Sequence, residues 1–213
     1  MSLICVLIPG KDERSRLKRH TIARYLNLTA ALSWREISGK VRLRFPSVDH
    51  MVNVGLMTEQ ERLLYINTQT DALKWFLPLQ WCQQLIVDHV SEPKNYQVFD
   101  GPILAHTLHY LNDYRVSFRK LYCYDWVCLP LVYTQVAALA TYAFMAFCLR
   151  TELKYETFEV DFYLPIFTIV QFLCYIGWFK VGQDLMRPFG TDDDDIELNY
   201  ILDRHIQTTF AMG

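Results

Sequence analysis

Six cysteines are spread over the 213 residues, and none of them makes a C-x-x-C pair. Cys5, Cys82, Cys123, Cys128, Cys148 and Cys174 therefore supply neither a disulfide framework nor a zinc site by spacing. Residues 1–126 have no alternating strand pattern and no internal repeat. The apolar run at residues 3–9 is too short for a signal-peptide core with a charged leader, and no other address signal is visible. Only one aspartate-rich run occurs, whereas an enzyme holding a diphosphate through magnesium needs a second carboxylate group facing the first. The chain is accordingly read as a non-enzyme. Its net charge of -2 is uninformative as a total, and no nucleic-acid partner is expected.

What is present is apolar and concentrated late. Hydrophobic residues make up 52% of the chain, and neither residues 127–149 nor residues 162–179 contain a single charge. At about 1.5 Å of helical rise per residue each stretch reaches across a hydrocarbon core of roughly 30 Å, the second only just. Buried helices of a soluble fold are the alternative, but they seldom run past about 14 residues without a charge. Trp126 and Tyr133 near one end, with Trp178 and Phe179 near the other, suit an interfacial aromatic belt. Residues 1–126 carry 16 Lys/Arg against 12 Asp/Glu, whereas residues 150–161 carry two basic and four acidic residues. The positive-inside rule then places both flanks in the cytoplasm and the connector outside. The expected organisation is a helical cytosolic portion (1–126), a transmembrane helix (127–149), an external connector (150–161), a second transmembrane helix (162–179) and a cytosolic acidic segment with a helix (180–213).

The cytosolic portion reads as a succession of helices. Lys11, Arg14, Arg16, Lys18, Arg19 and Arg24 accompany Leu17, Ile22, Tyr25, Leu26 and Leu32 at helical spacing, so this is an amphipathic helix. Its basic face is either solvated, set against anionic lipid, or used to concentrate anions. Pro46 ends one helix. Residues 47–54 form a short one stopped by Gly55, and Thr58 with Glu61 makes a capping box for the next. Residues 71–90 read as one helix kinked at the interior Pro78, and Pro102 sits in the first turn of a helix running to residue 120. His106 and His109 share a face with Asp113, too few ligands for a metal site. His20, His50, His89 and His205 are isolated.

Asp192 to Asp195 are four adjacent, mutually repelling carboxylates about a dozen residues beyond an apolar span. Such a run is accommodated by a multivalent cation or by water. Hard oxygen ligands favour calcium or magnesium. Asp192 and Asp195 are three apart and face one way if they occupy the first turn of the helix expected over residues 196–206, whose dipole favours negative charge. The turn around Pro188 and Gly190 frees backbone carbonyls for the remaining ligands. EF-hand spacing is absent. A cation site and a solvated acidic helix start both remain open on spacing alone.

Several segments, in this order, resemble the bestrophin family: Gly10-Lys11-Asp12-Glu13, Arg44-Phe45-Pro46, Gly55-Leu56-Met57-Thr58, Tyr124-Asp125-Trp126, Pro130-Leu131-Val132-Tyr133-Thr134-Gln135-Val136, and Pro188-Phe189-Gly190 with the aspartates after it. The resemblance implies an all-α, multipass transmembrane fold and a homopentamer around one axial anion pathway. It implies a chloride channel of the plasma membrane opened by regulatory calcium. It also implies a calcium clasp in which Asp192 and Asp195 supply side chains while Asp184 and Arg187 supply carbonyls. The family usually has Gln and Asn at those last two positions, and Arg187 brings a like charge near the ion. Ile103 aligns with the residue forming the narrow cytosolic aperture, where five isoleucines would select anions by how readily they shed water; a core role for Ile103 is the alternative. Bestrophins carry further residues ahead of the GKDE segment, including a first membrane helix, the helix lining the pore neck and a carbonyl of the clasp. The chain is thus expected to be a channel subunit or an amino-terminally truncated form. In the second case it is a non-conducting partner that joins or disables full-length subunits in the lipid bilayer.

Overall fold

The computed structural model describes residues 1–92, 101–127, 130–152, 166–186, 188–193 and 195–212. Its described elements are helical, and the chain divides into two units, Met1–Cys123 with Phe189–Gly213, and Tyr124–Pro188.

The first unit is assembled on α2, Glu13–Ile37. In the amino-terminal turns of this helix Arg14 and Arg16 stay exposed, while Lys18 and Arg19 are half-buried. From Ile22 onward apolar and small side chains, among them Ala23, Leu28, Ala30 and Ala31, are buried on nearly every face. Small residues let neighbouring helices approach closely. They bring α6 (Leu77–Ser91), α3 (Gly39–Arg44) and α10 (Leu198–Met212) against α2. One core cluster gathers Leu28, Trp34, Phe45, Met51, Phe118 and Leu202; a second gathers Leu7, Ile22, Leu79, Cys82, Ile86 and Leu111. The short α1 (Ser2–Leu7) contributes Ile4 and Leu7 to the second. Two polar contacts tie α2 to its neighbours: Asn27 Nδ2 donates to Thr209 Oγ1 at 2.7 Å, and Tyr122 of α7 (Gly101–Trp126) donates to the Ser33 carbonyl at 3.1 Å.

Local signals explain the punctuation. Ser38 leaves the helical region (φ -106, ψ 127), which separates α2 from α3. Gly55, with φ 82, turns the chain after α4 (Val48–Asn53), a conformation that a side chain would strain. The capping box opens α5 (Glu59–Asn67): the Thr58 N–H donates to Glu61 Oε2 at 2.8 Å and the Glu61 N–H to Thr58 Oγ1 at 3.4 Å. Pro78 corrects the expected kinked helix over residues 71–90. A 3-10 turn, Lys74–Phe76, precedes α6, and Pro78 occupies the first turn of α6, where its missing N–H has no intrahelical partner to lose.

In the second unit α8 (Leu131–Glu152) packs on α9 (Ile166–Asp184), with Phe144 and Tyr175 meeting edge to face at 6.2 Å. Met145 is buried, while Leu139, Phe147, Leu173 and Trp178 are each more than 60% exposed, so these helices present apolar surface outward. Among the described residues no single helix is long and apolar enough to cross a membrane. The spans expected over residues 127–149 and 162–179 include residues 128–129 and 162–165, which lie outside the described residues, as does most of the expected connector.

Candidate cation site

The acidic run lies in a turn ahead of α10, not on its first helical turn. Asp192 and Asp195 close this turn on themselves. The Asp195 N–H donates to the Asp192 carbonyl at 3.2 Å, and the Asp192 N–H donates to Asp195 Oδ2 at 2.8 Å. Regular α10 begins only at Leu198, so the expectation that the two aspartates share a first helical turn is corrected, and the helix follows them. The Asp195 carboxylate takes the Asp192 N–H as Glu61 takes that of Thr58, but regular helix does not follow until Leu198. The i to i+3 relation survives, because a turn of this kind brings residues three apart together as a helix does.

A basic residue from elsewhere in the sequence reaches this turn. Lys40 Nζ, at the start of α3, donates to the Asp192 carbonyl at 2.9 Å and to Glu197 Oε1 at 2.7 Å. A hydrogen bond to Glu197, reinforced by the nearby carboxylates of Asp193 and Asp195, holds the Lys40 ammonium above the ordinary lysine value. A Cβ on Gly39 would stand 3.3 Å from Thr191 Cγ2, so the α2–α3 break and the acidic turn are in close contact. One turn further along α10, Asp203 receives both guanidinium nitrogens of Arg44, at 2.7 and 3.1 Å.

The donor chemistry of this turn suits a hard divalent cation. Asp195 engages one oxygen within the turn and keeps the other, while the Asp192 carboxylate makes no hydrogen bond among the described residues. No group of three His, Cys, Asp or Glu side chains stands ready to hold a metal ion among the described residues, so backbone carbonyls would have to complete any shell. Of the two residues expected to supply them, Asp184 is the exposed last residue of α9 in the second unit, and Arg187 lies outside the described residues, as does Asp194 of the acidic run.

Ile103 sits in the first turn of α7 with 38% of its surface exposed. The Thr107 hydroxyl donates to its carbonyl at 2.9 Å and fixes the backbone there. His106 stacks edge to face with Tyr110, and His109 pairs with Asp113 at 3.4 Å, so both histidines have neighbours along their own helix. Sequence reasoning missed Lys40. It lies 152 residues from Asp192 and no periodicity links them; the one available hint was a lysine directly after a Ser-Gly helix break.

Comparison with known proteins shows the family. A family model described as "Bestrophin, RFP-TM, chloride channel" matches residues 1–212. Bestrophin homolog 13 of Caenorhabditis elegans is 51% identical over all of this chain and 52% of its own length, and human Bestrophin-3 is 41% identical over 98% of this chain and 32% of its own. The chain spans about half the length, or less, of the curated relatives it matches. A crystal structure of a bacterial bestrophin homolog from Klebsiella pneumoniae, 15% identical, superimposes with a TM-score of 0.75 over 99% of this chain and 70% of that one, which shows a shared fold.

Proposed function

The chain belongs to the bestrophin family, and from that premise we propose that it is a subunit of a calcium-activated chloride channel, a multipass protein of the plasma membrane that assembles as a homopentamer. The observation that carries this reading is the match to the chloride-channel family model over residues 1–212, together with an acidic turn in which the Asp195 carboxylate accepts the Asp192 backbone N–H.

In this reading Asp192 and Asp195 hold calcium on the cytosolic side, with carbonyls of Asp184 and Arg187 entering from the family resemblance. Bound calcium would supply a double positive charge that neutralises the repulsion within the run. The residues themselves do the positioning: the Asp192 N–H fixes the Asp195 carboxylate, and the Asp192–Asp195 backbone bond fixes their separation. Ile103, exposed on α7, contributes one apolar side chain per subunit to a ring at the cytosolic aperture, where an anion passes according to the ease with which it sheds water. The exposed apolar faces of α8 and α9 are those expected of helices in lipid.

Patch-clamp recording at low and high cytosolic calcium tests the proposal. A calcium-dependent anion current from cells expressing the chain is expected, reduced by Asp192→Ala and Asp195→Ala and much less by Asp193→Ala. Equal effects of all three substitutions would point to a diffuse acidic surface in place of a defined site. No current alone, with suppression of the current of a co-expressed full-length relative, would support the non-conducting partner. No current and no effect on the relative would sink the channel assignment.

A further inference from the structure

The acidic turn already holds a cation, the ammonium of Lys40. Its two short hydrogen bonds, to the Asp192 carbonyl and to Glu197, place a positive charge in the turn that carries Asp192 and Asp195. The lysine begins α3 immediately after Gly39, whose Cα packs against Thr191 of the turn, and its side chain is only 21% exposed.

Resting on the calcium reading above, we infer that Lys40 is a tethered counter-ion of the acidic turn, which competes with calcium for it and so raises the calcium concentration needed to fill the site. Without an ion, the ammonium relieves the repulsion within residues 192–197. When a divalent cation approaches Asp192 and Asp195, the ammonium and the ion repel across a few ångströms, and the lysine must either leave the Asp192 carbonyl or weaken the ion's hold. Calcium affinity is therefore set partly by a residue that is not a ligand. The same arrangement gives the turn a defined shape when calcium is low, so that filling the site exchanges one cation for another without ordering a loose loop.

The test is direct calcium binding by the full chain in lipid nanodiscs, measured by radiolabelled or calorimetric titration with calcium alone. Lys40→Gln keeps an N–H donor for the Asp192 carbonyl and removes the charge. Its calcium Kd is expected to fall about three- to tenfold, while Lys40→Arg, which keeps the charge, stays within about twofold of wild type. A second readout needs no variant: amine-reactive labelling of Lys40, quantified by mass spectrometry, is expected to rise when calcium is added. Binding that appears only in Lys40→Gln also supports the inference. Wild-type or weaker affinity in Lys40→Gln, while Asp192→Ala abolishes binding, overturns this inference alone and leaves the calcium site standing. Calcium binding absent from wild type and Lys40→Gln alike overturns the calcium reading and this inference with it. Should Lys40→Gln not fold, the labelling decides: a rise supports the inference, and no change or a fall overturns it.

Discussion

Glu61 holds α5 to α2 through two partners, Arg24 and Tyr25. Its carboxylate receives both guanidinium nitrogens of Arg24, at 2.5 and 2.6 Å, and the Tyr25 hydroxyl at 2.8 Å, while Thr58 donates its backbone N–H. Burial by itself would raise the carboxyl pKa. The hydrogen bonds from Arg24, Thr58 and Tyr25 outweigh it and hold the group at about 2. Because the folded value is depressed, the stabilisation is present in full above the ordinary value of 4.5 and is lost as pH falls toward 2. Glu61→Gln leaves the largely buried Arg24 guanidinium without its counter-charge and is expected to destabilise the first unit by about 2–3 kcal/mol at neutral pH. Thermal unfolding across pH 2 to 6 checks it: the wild-type midpoint should fall over that window and the variant's should fall less. A variant as stable as wild type at neutral pH would show the pair to be dispensable.

At the scale of elements, features whose cause is local were legible. The capping box before α5, the stop at Gly55 and the proline opening α7 each depend on a few adjacent backbone groups, and each occurs where the sequence places it. Pro78 was misassigned because the apolar pattern runs through it; only the chain's extended backbone at Leu73, followed by the 3-10 turn, makes it a first-turn residue. Asp192 and Asp195 stand in a turn and not on the first turn of a helix, and a lysine from α3 takes the Asp192 carbonyl that a continued helix would use. No periodicity reports that lysine, 152 residues away. The capping box offers the simplest measurement at this scale. Thr58→Ala removes the acceptor for the Glu61 N–H and should cost about 1 kcal/mol, whereas Thr58→Ser should restore most of it, both read from equilibrium unfolding. Equal losses for the two substitutions would mean that the hydroxyl is not the stabilising group.

For the molecule as a whole, the two units differ in where their apolar side chains go. The first buries Phe45, Met51, Ile86 and Leu202 in its own core; the second keeps Leu139, Phe147, Leu173 and Trp178 at its surface. Apolar surface of this kind is stable in contact with lipid or with other apolar surface. The proposed hairpin, with residues 150–161 outside and both flanks in the cytoplasm, assigns that surface to lipid and puts the acidic turn where cytosolic calcium reaches it. Cysteine accessibility tests this arrangement against the background of the parent chain, whose Cys123 and Cys174 are exposed. Glu156→Cys, in the connector, should react with a membrane-impermeant maleimide on intact cells. Tyr200→Cys, on an exposed face of α10 just after the acidic turn, should react only after permeabilisation. The reverse pattern would place Asp192 and Asp195 outside the cell, in constant millimolar calcium, where a site of this kind would stay filled and could not report a cytosolic signal.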